Sequence, residues 1–351
     1  MATDPVRPSE AGTSPQVPNV AGFPASPPGP EPESAKPASR TGRNLPVAIG
    51  VGAVLGGLVF LTLLTVKATF LAYMGVALAI ALTELAGAFA KRGIEIPVIP
   101  VAAGGAAIVT CMYWLGSSAA LAALALTVVV MFAWRLPGGP SGYVKDMTAG
   151  VFAVLYLPFL AAFVAAMLAP ADGPRRVLTF IILTVSSDIG GYFAGITLGR
   201  PGRHLMAPVI SPKKTWEGFA GSAVACLVAG WLCVTLMLHG HAWQGLLIGA
   251  AAVLAAILGD LVESVIKRDL DIKDMGTLLP GHGGVLERLD SLLVVAPVAW
   301  LLLYLFIPAV EAPDRRPSSA AGRRACRPGW PIRVPWLAGD PAPGSARSTA
   351  T

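Results

Sequence analysis

Charge is what this 351-residue chain has least of. Asp, Glu, Lys and Arg together make up 13% of it, about half their share in an average soluble domain. With 54% hydrophobic residues and a mean hydropathy of +0.67, that scarcity argues against a water-soluble globule and for a polytopic membrane protein. Cysteine is scarce as well. Cys111, Cys226, Cys233 and Cys326 form no C-x-x-C pair, and three of them lie in apolar runs, so no disulfide framework or zinc site is implied and they read as helix filler. No Walker A pattern occurs, which removes the P-loop class. Basic patches interleaved with aromatics are missing too, so the net charge of +6 does not point to nucleic acid. Near the N-terminus there is no apolar run to act as a signal peptide.

What is there is long hydrophobic stretches. Residues 1–44 are rich in Pro, Ser, Ala and Gly without hydrophobic period and read as a disordered tail. Nine apolar segments follow, at 45–66, 69–90, 95–115, 118–134, 147–169, 176–198, 217–238, 243–262 and 290–309, each near the ~20 residues that span a bilayer. The expectation is therefore an all-α, polytopic transmembrane domain over 45–309, followed by a disordered basic tail over 310–351. Lys36, Arg40 and Arg43 precede the first span and place the N-terminus in the cytoplasm. Alternate connections then carry Lys91, Arg92, Arg135, Lys145, Lys213, Lys214, Lys267, Arg268 and Lys273 on the cytoplasmic side, against Lys67, Arg175 and Arg176 on the other. Gly191, Gly195 and Gly199 repeat at the four-residue spacing of close helix contacts. Packing within one bundle is the preferred reading, and a homodimer face is the other.

Two cytoplasmic connections are too polar to be plain anchors. "SPKKTWEG" (211–218) supplies Lys213 and Lys214 as ammonium groups, Ser211 and Thr215 as hydroxyls, and Glu217 as an acid near the start of a helix. In the second, Asp260, Ser264 and Lys267 or Arg268 recur on one helix face. Glu263 is adequately explained by an i,i+4 pair with Lys267. Lys273 and Asp274 come next, then "PGHGG", whose Gly281, Gly283 and Gly284 free the backbone for close ligand approach and whose His282 could touch a phosphate. Glu287, Asp290 and Ser291 then point one way and suit a hard cation such as Mg2+. Within the spans, Asp188 is costly in lipid and calls for a polar cavity or a cation. Glu84 could snorkel or pair with Lys91 or Arg92.

These residues resemble a known family. "SVIKRDLDIKDMGTLLPGHGGVLERLDS" (264–291) is similar to the signature of the phosphatidate cytidylyltransferases, and "SDIGGYFAGITLGRPGRHLMAPVISPKKTWEG" (187–218) to the block upstream of it. Two departures stand inside the match. Glu287 occupies the family's first aspartate of Asp-Arg-x-Asp, and Ile189 replaces a hydroxyl residue after the membrane aspartate.

The resemblance implies that CTP and phosphatidate, gathered at the cytoplasmic face of the cell membrane, yield CDP-diacylglycerol and pyrophosphate. It implies metal ligation, by Mg2+ alone or with a second cation, through Asp260, Glu287 and Asp290. Asp188 would join them or hold a lysine. Lys213, Lys214, Lys267, Arg268 and Arg288 would draw charge from the phosphates, His282 would assist, and Ser211, Thr215, Ser264, Lys273, Gly283 and Gly284 would contact the nucleotide. Two other classes stay open: a transporter using Asp188 and Glu84 as an ion path, and a CTP-dependent polyprenol-type kinase.

Overall fold

Lipid offers no partner to backbone N–H and C=O groups, so apolar runs of membrane length satisfy them internally, as helices. The computed structural model of the chain follows that rule. It describes residues 45–199, 204–276, 278 and 283–310. The two expected tails lie outside these residues except for Val310, and so do His282 and the side chain of Lys213.

The order is α1 (Leu45–Thr65), α2 (Lys67–Ala90), α3 (Val98–Trp114), α4 (Ser117–Arg135), α5 (Tyr143–Val154), α6 (Leu160–Leu168), α7 (Gly173–Thr197), β1 (Leu205–Ala207), β2 (Ser211–Thr215), α8 (Trp216–Leu232), α9 (Ala242–Asp269) and α10 (Leu286–Phe306). A turn of π-helix at Leu155–Phe159 joins α5 to α6 and contains Pro158. Proline has no N–H to give, and the wider turn absorbs the missing bond without ending the rod. A second π turn, Cys233–Met237, extends α8. Among the described residues, seven helical rods are long and apolar enough to cross a membrane, and the apolar stretches Gly52–Thr65 and Val98–Trp114 are shorter.

Two differences from the sequence reading matter. The expected eighth segment does not stop at 262: α9 runs on to Asp269, so Ser264, Lys267 and Arg268 stand on a rigid helix. The fold is also not purely helical. Leu205–Ala207 pairs antiparallel with Ser211–Thr215, so "SPKKT" is a strand. The hydropathy of so short a polar hairpin carries no period to reveal it. Its base is tied to α8. Trp216 N donates to His204 O at 3.0 Å, and His204 Nδ1 meets Glu217 Oε1 at 2.6 Å.

The apolar core is continuous through the bundle, with Leu85, Ile108, Met131, Leu157, Leu183 and Leu303 fully buried. The later helices approach one another over small residues. A Cβ on Gly190 would strike Gly221 O, one on Gly221 would strike Gly190 O, and Gly191 faces Ser222 Oγ. Of the glycine repeat, Gly191 and Gly195 thus pack inside the chain, against the first turns of α8. Ser222 Oγ donates to Ser187 O at 2.6 Å and Cys226 Sγ to Leu183 O at 3.3 Å along the same seam. Helix α10 is held at its C-terminal end by Arg176, whose Nη2 donates to Ile307 O at 3.0 Å and Pro308 O at 2.9 Å. A cation is the favourable charge at that end of a helix dipole.

Candidate active site

At one end of the bundle α7 and α9 finish, α8 and α10 begin, and the hairpin closes the gap. Between them lies a cavity of about 600 Å3. Its position follows from packing. A Cβ on Gly259 would meet Asp290 O and Ser291 Cα, so this glycine lets the first turn of α10 lie directly on α9. That contact brings Asp290 beside Asp260 and Glu263, which stand three residues apart on one face of α9. Carboxylate oxygens of the three acids all lie within 4.8 Å of one another.

Two of these acids are well removed from water: Glu263 is 2% and Asp290 8% exposed. Like charges about 5 Å apart repel by roughly 3 kcal/mol at an effective dielectric of ~20. Lysines offset part of this. Lys267 Nζ lies 2.9 Å from Glu263 Oε2 and 3.4 Å from Glu287 Oε1, and Lys214 Nζ lies 2.6 Å from Asp260 Oδ2. Asp290 Oδ1 accepts from Ser291 N at 2.6 Å. Glu263 Oε1 is buried and has no hydrogen-bond partner among the described residues. A buried carboxylate oxygen left unpaired beside two further acids is the donor set a hard cation takes. The 4.8 Å limit matches the separation, about 4–5 Å, of oxygens on opposite sides of one Mg2+ or Ca2+ ion.

The cavity gathers most of the expected residues: Asp188, Ser211, Lys214, Thr215, Asp260, Ser264, Lys267, Glu287, Arg288 and Asp290. The two polar segments therefore meet, with Lys214 of one on Asp260 of the other. Asp188 sits in the field of Lys214, Arg288 and Asp260, so this costly intramembrane acid does face a polar cavity. Thr215 has a second task as the N-cap of α8, its Oγ1 accepting from Gly218 N at 3.1 Å. Glu217 stands in the first turn of α8, near the helix start as expected, and its side chain pairs with His204.

Other expectations move. Glu287 stands beside the acid trio without joining it: its Oε2 accepts from Gly284 N at 3.0 Å and its Oε1 faces Lys267. Among the described residues the clustered acids are Asp260, Glu263 and Asp290, with Glu287 at their edge. The expected i,i+4 pair of Glu263 with Lys267 is present, and its place in the acid cluster has no local signal in the sequence. Arg268 is exposed, with Nε 3.5 Å from Ile210 O, where it ties α9 to the hairpin. Lys273 is exposed and does not line the cavity. Gly283 and Gly284 do not line it either. Gly283 has φ +81, and Cβ atoms on the two would meet the carboxylates of Glu287 and Glu84 respectively. Ile189 is 52% exposed on the outer surface of α7, so the hydroxyl replaced there would not have faced the cavity. Glu84 pairs with neither Lys91 nor Arg92 among the described contacts. Its Oε1 accepts from Val285 N at 3.1 Å and its Oε2 from Leu286 N at 2.9 Å.

An apolar helical bundle holding clustered carboxylates and lysines at one end defines a membrane protein equipped to handle phosphate and a cation together. The sequence matches the cytidylyltransferase family over residues 47–306. It is 40% identical over 317 residues to the phosphatidate cytidylyltransferase of Mycobacterium tuberculosis (strain ATCC 25618 / H37Rv), covering 87% of this chain and 94% of that protein. The phosphatidate cytidylyltransferase of Mycobacterium leprae (strain TN) is 41% identical over 289 residues, 78% of this chain and 92% of its own. That of Brucella suis biovar 1 (strain 1330) is 40% identical over a shorter stretch of 146 residues, 41% of this chain and 52% of its own. This chain belongs to the cytidylyltransferase family.

Proposed function

We propose that the protein is a phosphatidate cytidylyltransferase of the cell membrane, joining CTP and phosphatidate to give CDP-diacylglycerol and pyrophosphate. One observation carries this reading: the acid trio Asp260, Glu263 and Asp290 and the cations Lys214, Lys267 and Arg288 share a single cavity within the part of the chain that matches the family.

The chemistry asks little of the protein in proton transfer. A phosphate monoester has its second pKa near ~6, so the lipid phosphate is already an oxyanion nucleophile at neutral pH. Its oxygen attacks the α-phosphorus of CTP, the bond to the β-phosphate's bridging oxygen breaks, and pyrophosphate leaves. What opposes the step is repulsion between two anions, so catalysis is positioning and charge neutralisation. Asp260, Glu263 and Asp290 would hold a divalent cation, Mg2+ by the hardness of the donor set, which supplies charge to the triphosphate when bound. Lys214 and Arg288 reach the same space from the hairpin and from α10 and take up phosphate charge. Lys267 bridges Glu263 and Glu287 and holds both in place. Ser211 and Ser264 offer hydroxyls to the nucleotide.

Phosphatidate reaches this site from the side. Tyr192 lines the cavity yet is 64% exposed on the apolar outer surface of α7, so cavity and lipid adjoin there, and the acyl chains stay in the bilayer. The cavity then opens to the cytoplasm, where CTP is, and the N-terminus lies on the same side by the distribution of Lys and Arg. Purified protein in phosphatidate vesicles, given CTP labelled in the cytidine and, in parallel, CTP labelled at the γ-phosphate, tests the assignment. Cytidine label entering the chloroform phase supports it. Transfer of the γ-phosphate alone would make the protein a lipid kinase, and solute flux without transfer would make it a transporter.

A further inference from the structure

Helix α10 begins with a problem. It carries Glu287, Arg288 and Asp290 in its first turns, yet its own N-cap residue, Val285, has no side chain able to cap. The first N–H groups of a helix need partners, and a buried helix end without them is unstable. The partner comes from far away in sequence. The Glu84 carboxylate of α2 accepts from both Val285 N and Leu286 N, at 3.1 and 2.9 Å. Gly276 and Gly284 wrap that carboxylate so closely that a Cβ on either would collide with it. In the turn just past the C-terminus of α2, Arg92 takes the other side of the same connection. Its Nε donates to Leu270 O at 2.9 Å, where α9 ends. Both charges match the helix ends they meet: an acid at the N-terminus of α10 and a base at the C-terminus of α9.

We propose that Glu84 is a positioning residue for the reaction. With Arg92 it makes α2 a brace that fixes the α9–α10 connection, and so sets where Asp290 stands relative to Asp260 and Glu263. A negative group already fills the anion seat at the start of α10, so triphosphate is held by the cavity's side-chain cations and not by these N–H groups. Glu84 itself lies outside the cavity lining and touches no reactant.

This inference rests on the acid trio being the metal seat, and its test separates the two ideas. Full-length Glu84→Ala, Glu84→Gln and wild-type protein in detergent micelles are compared by hydrogen exchange over 283–289, by Mn2+ binding measured by electron paramagnetic resonance, and by steady-state transfer. For Glu84→Ala, exchange at Val285 and Leu286 rises while α2 stays protected. Mn2+ affinity and kcat each fall about 10- to 100-fold, the range for outer partners of a metal site, and KM for phosphatidate holds. Glu84→Gln keeps one acceptor oxygen and falls between. It carries the test with the same readouts if the alanine variant does not assemble. Faster exchange with Mn2+ affinity unchanged overturns the brace, as does unchanged exchange at Val285 and Leu286. Both physical readouts work in a preparation that transfers no cytidylyl group, so failure of the assigned reaction would be recognised as such.

Discussion

The early and late halves of the bundle use glycine in opposite ways. In the early half, glycines make room for side chains: Gly104 faces Thr127, Gly105 faces Pro158, and Gly150 faces Met131 and Pro97. In the late half they make room for backbone: Gly190 meets Gly221 O, Gly230 meets Gly245 O, Gly249 meets Cys226 O and Gly259 meets Asp290 O. In lipid, close approach of backbones is a main source of helix association. Where large side chains interlock, the remaining space is apolar, as in the groove of about 360 Å3 lined by residues such as Leu71, Leu78 and Val109. Where backbones touch, the polar side chains at the helix ends converge on a common space. The active cavity is the consequence of thin seams between α7, α8, α9 and α10.

The sharpest contrast should come from the late half. Asp290→Asn keeps shape and removes one charge from the acid trio. Transfer should fall by more than about 100-fold, beyond the cost of losing an outer partner, with membrane insertion unchanged. Activity near that of wild type would remove Asp290 from the metal seat. Glu263→Gln should behave alike at a retained melting temperature, whereas a purely structural Glu263–Lys267 pair, buried as it is, would show its loss as about 3–5 kcal/mol of stability. Chelation of divalent cations should abolish transfer in wild-type protein and be reversed by Mg2+ addition, whereas the retained melting temperature would show that the bundle does not need the ion.

Breaking the two packing styles should break different things. Gly249→Val pushes a side chain into Cys226 O, where neither helix can yield. Overpacking of this kind costs about 1–3 kcal/mol or more, and the expected outcome is loss of the α8–α9 seam and of transfer together. Leu85→Ala in the early half deletes a fully buried side chain and costs about 2 kcal/mol or more through the space it leaves. Its melting temperature should drop while KM for CTP stays put, measured on the folded fraction. A KM that rises in Leu85→Ala as much as transfer falls in Gly249→Val would erase the distinction.

How much of this was written in the sequence divides along the same lines. Spans are local, since each hydrophobic run of membrane length dictates its own helix. The residues of the second polar segment were legible because helical spacing places Asp260, Ser264 and Lys267 on one face. Glu84 was not legible, because its partners lie about 200 positions away at Val285 and Leu286 and no spacing rule connects them. Glu263 is the opposite case: its expected neighbour four residues on, Lys267, is there at 2.9 Å, but its place beside Asp290 depends on the packing of α10 that Gly259 permits, which no local spacing shows. For Gly283 and Gly284 the sequence shows backbone freedom, but not that Cβ atoms there would meet the carboxylates of Glu287 and Glu84.

The smallest effect is expected at Glu287, and it is the most informative about the family resemblance. The family signature that this segment resembles has aspartate there, one methylene shorter. Here the longer arm lets Oε2 reach Gly284 N at 3.0 Å while Oε1 stays 3.4 Å from Lys267. Glu287→Asp shortens the arm by about the length of one carbon–carbon bond, ~1.5 Å, so it should lose the contact with Gly284 and keep the charge near Lys267. Turnover should then change by less than about 10-fold, since the acid trio and its cation are untouched, and the Mg2+ concentration for half-maximal rate should not move. A shift in that concentration comparable to the one in Asp290→Asn would place Glu287 among the ligands after all. It would also mean that the first turn of α10 closes further onto α9 when the ion and nucleotide are bound, carrying Glu287 from its hold on Lys267 into the trio.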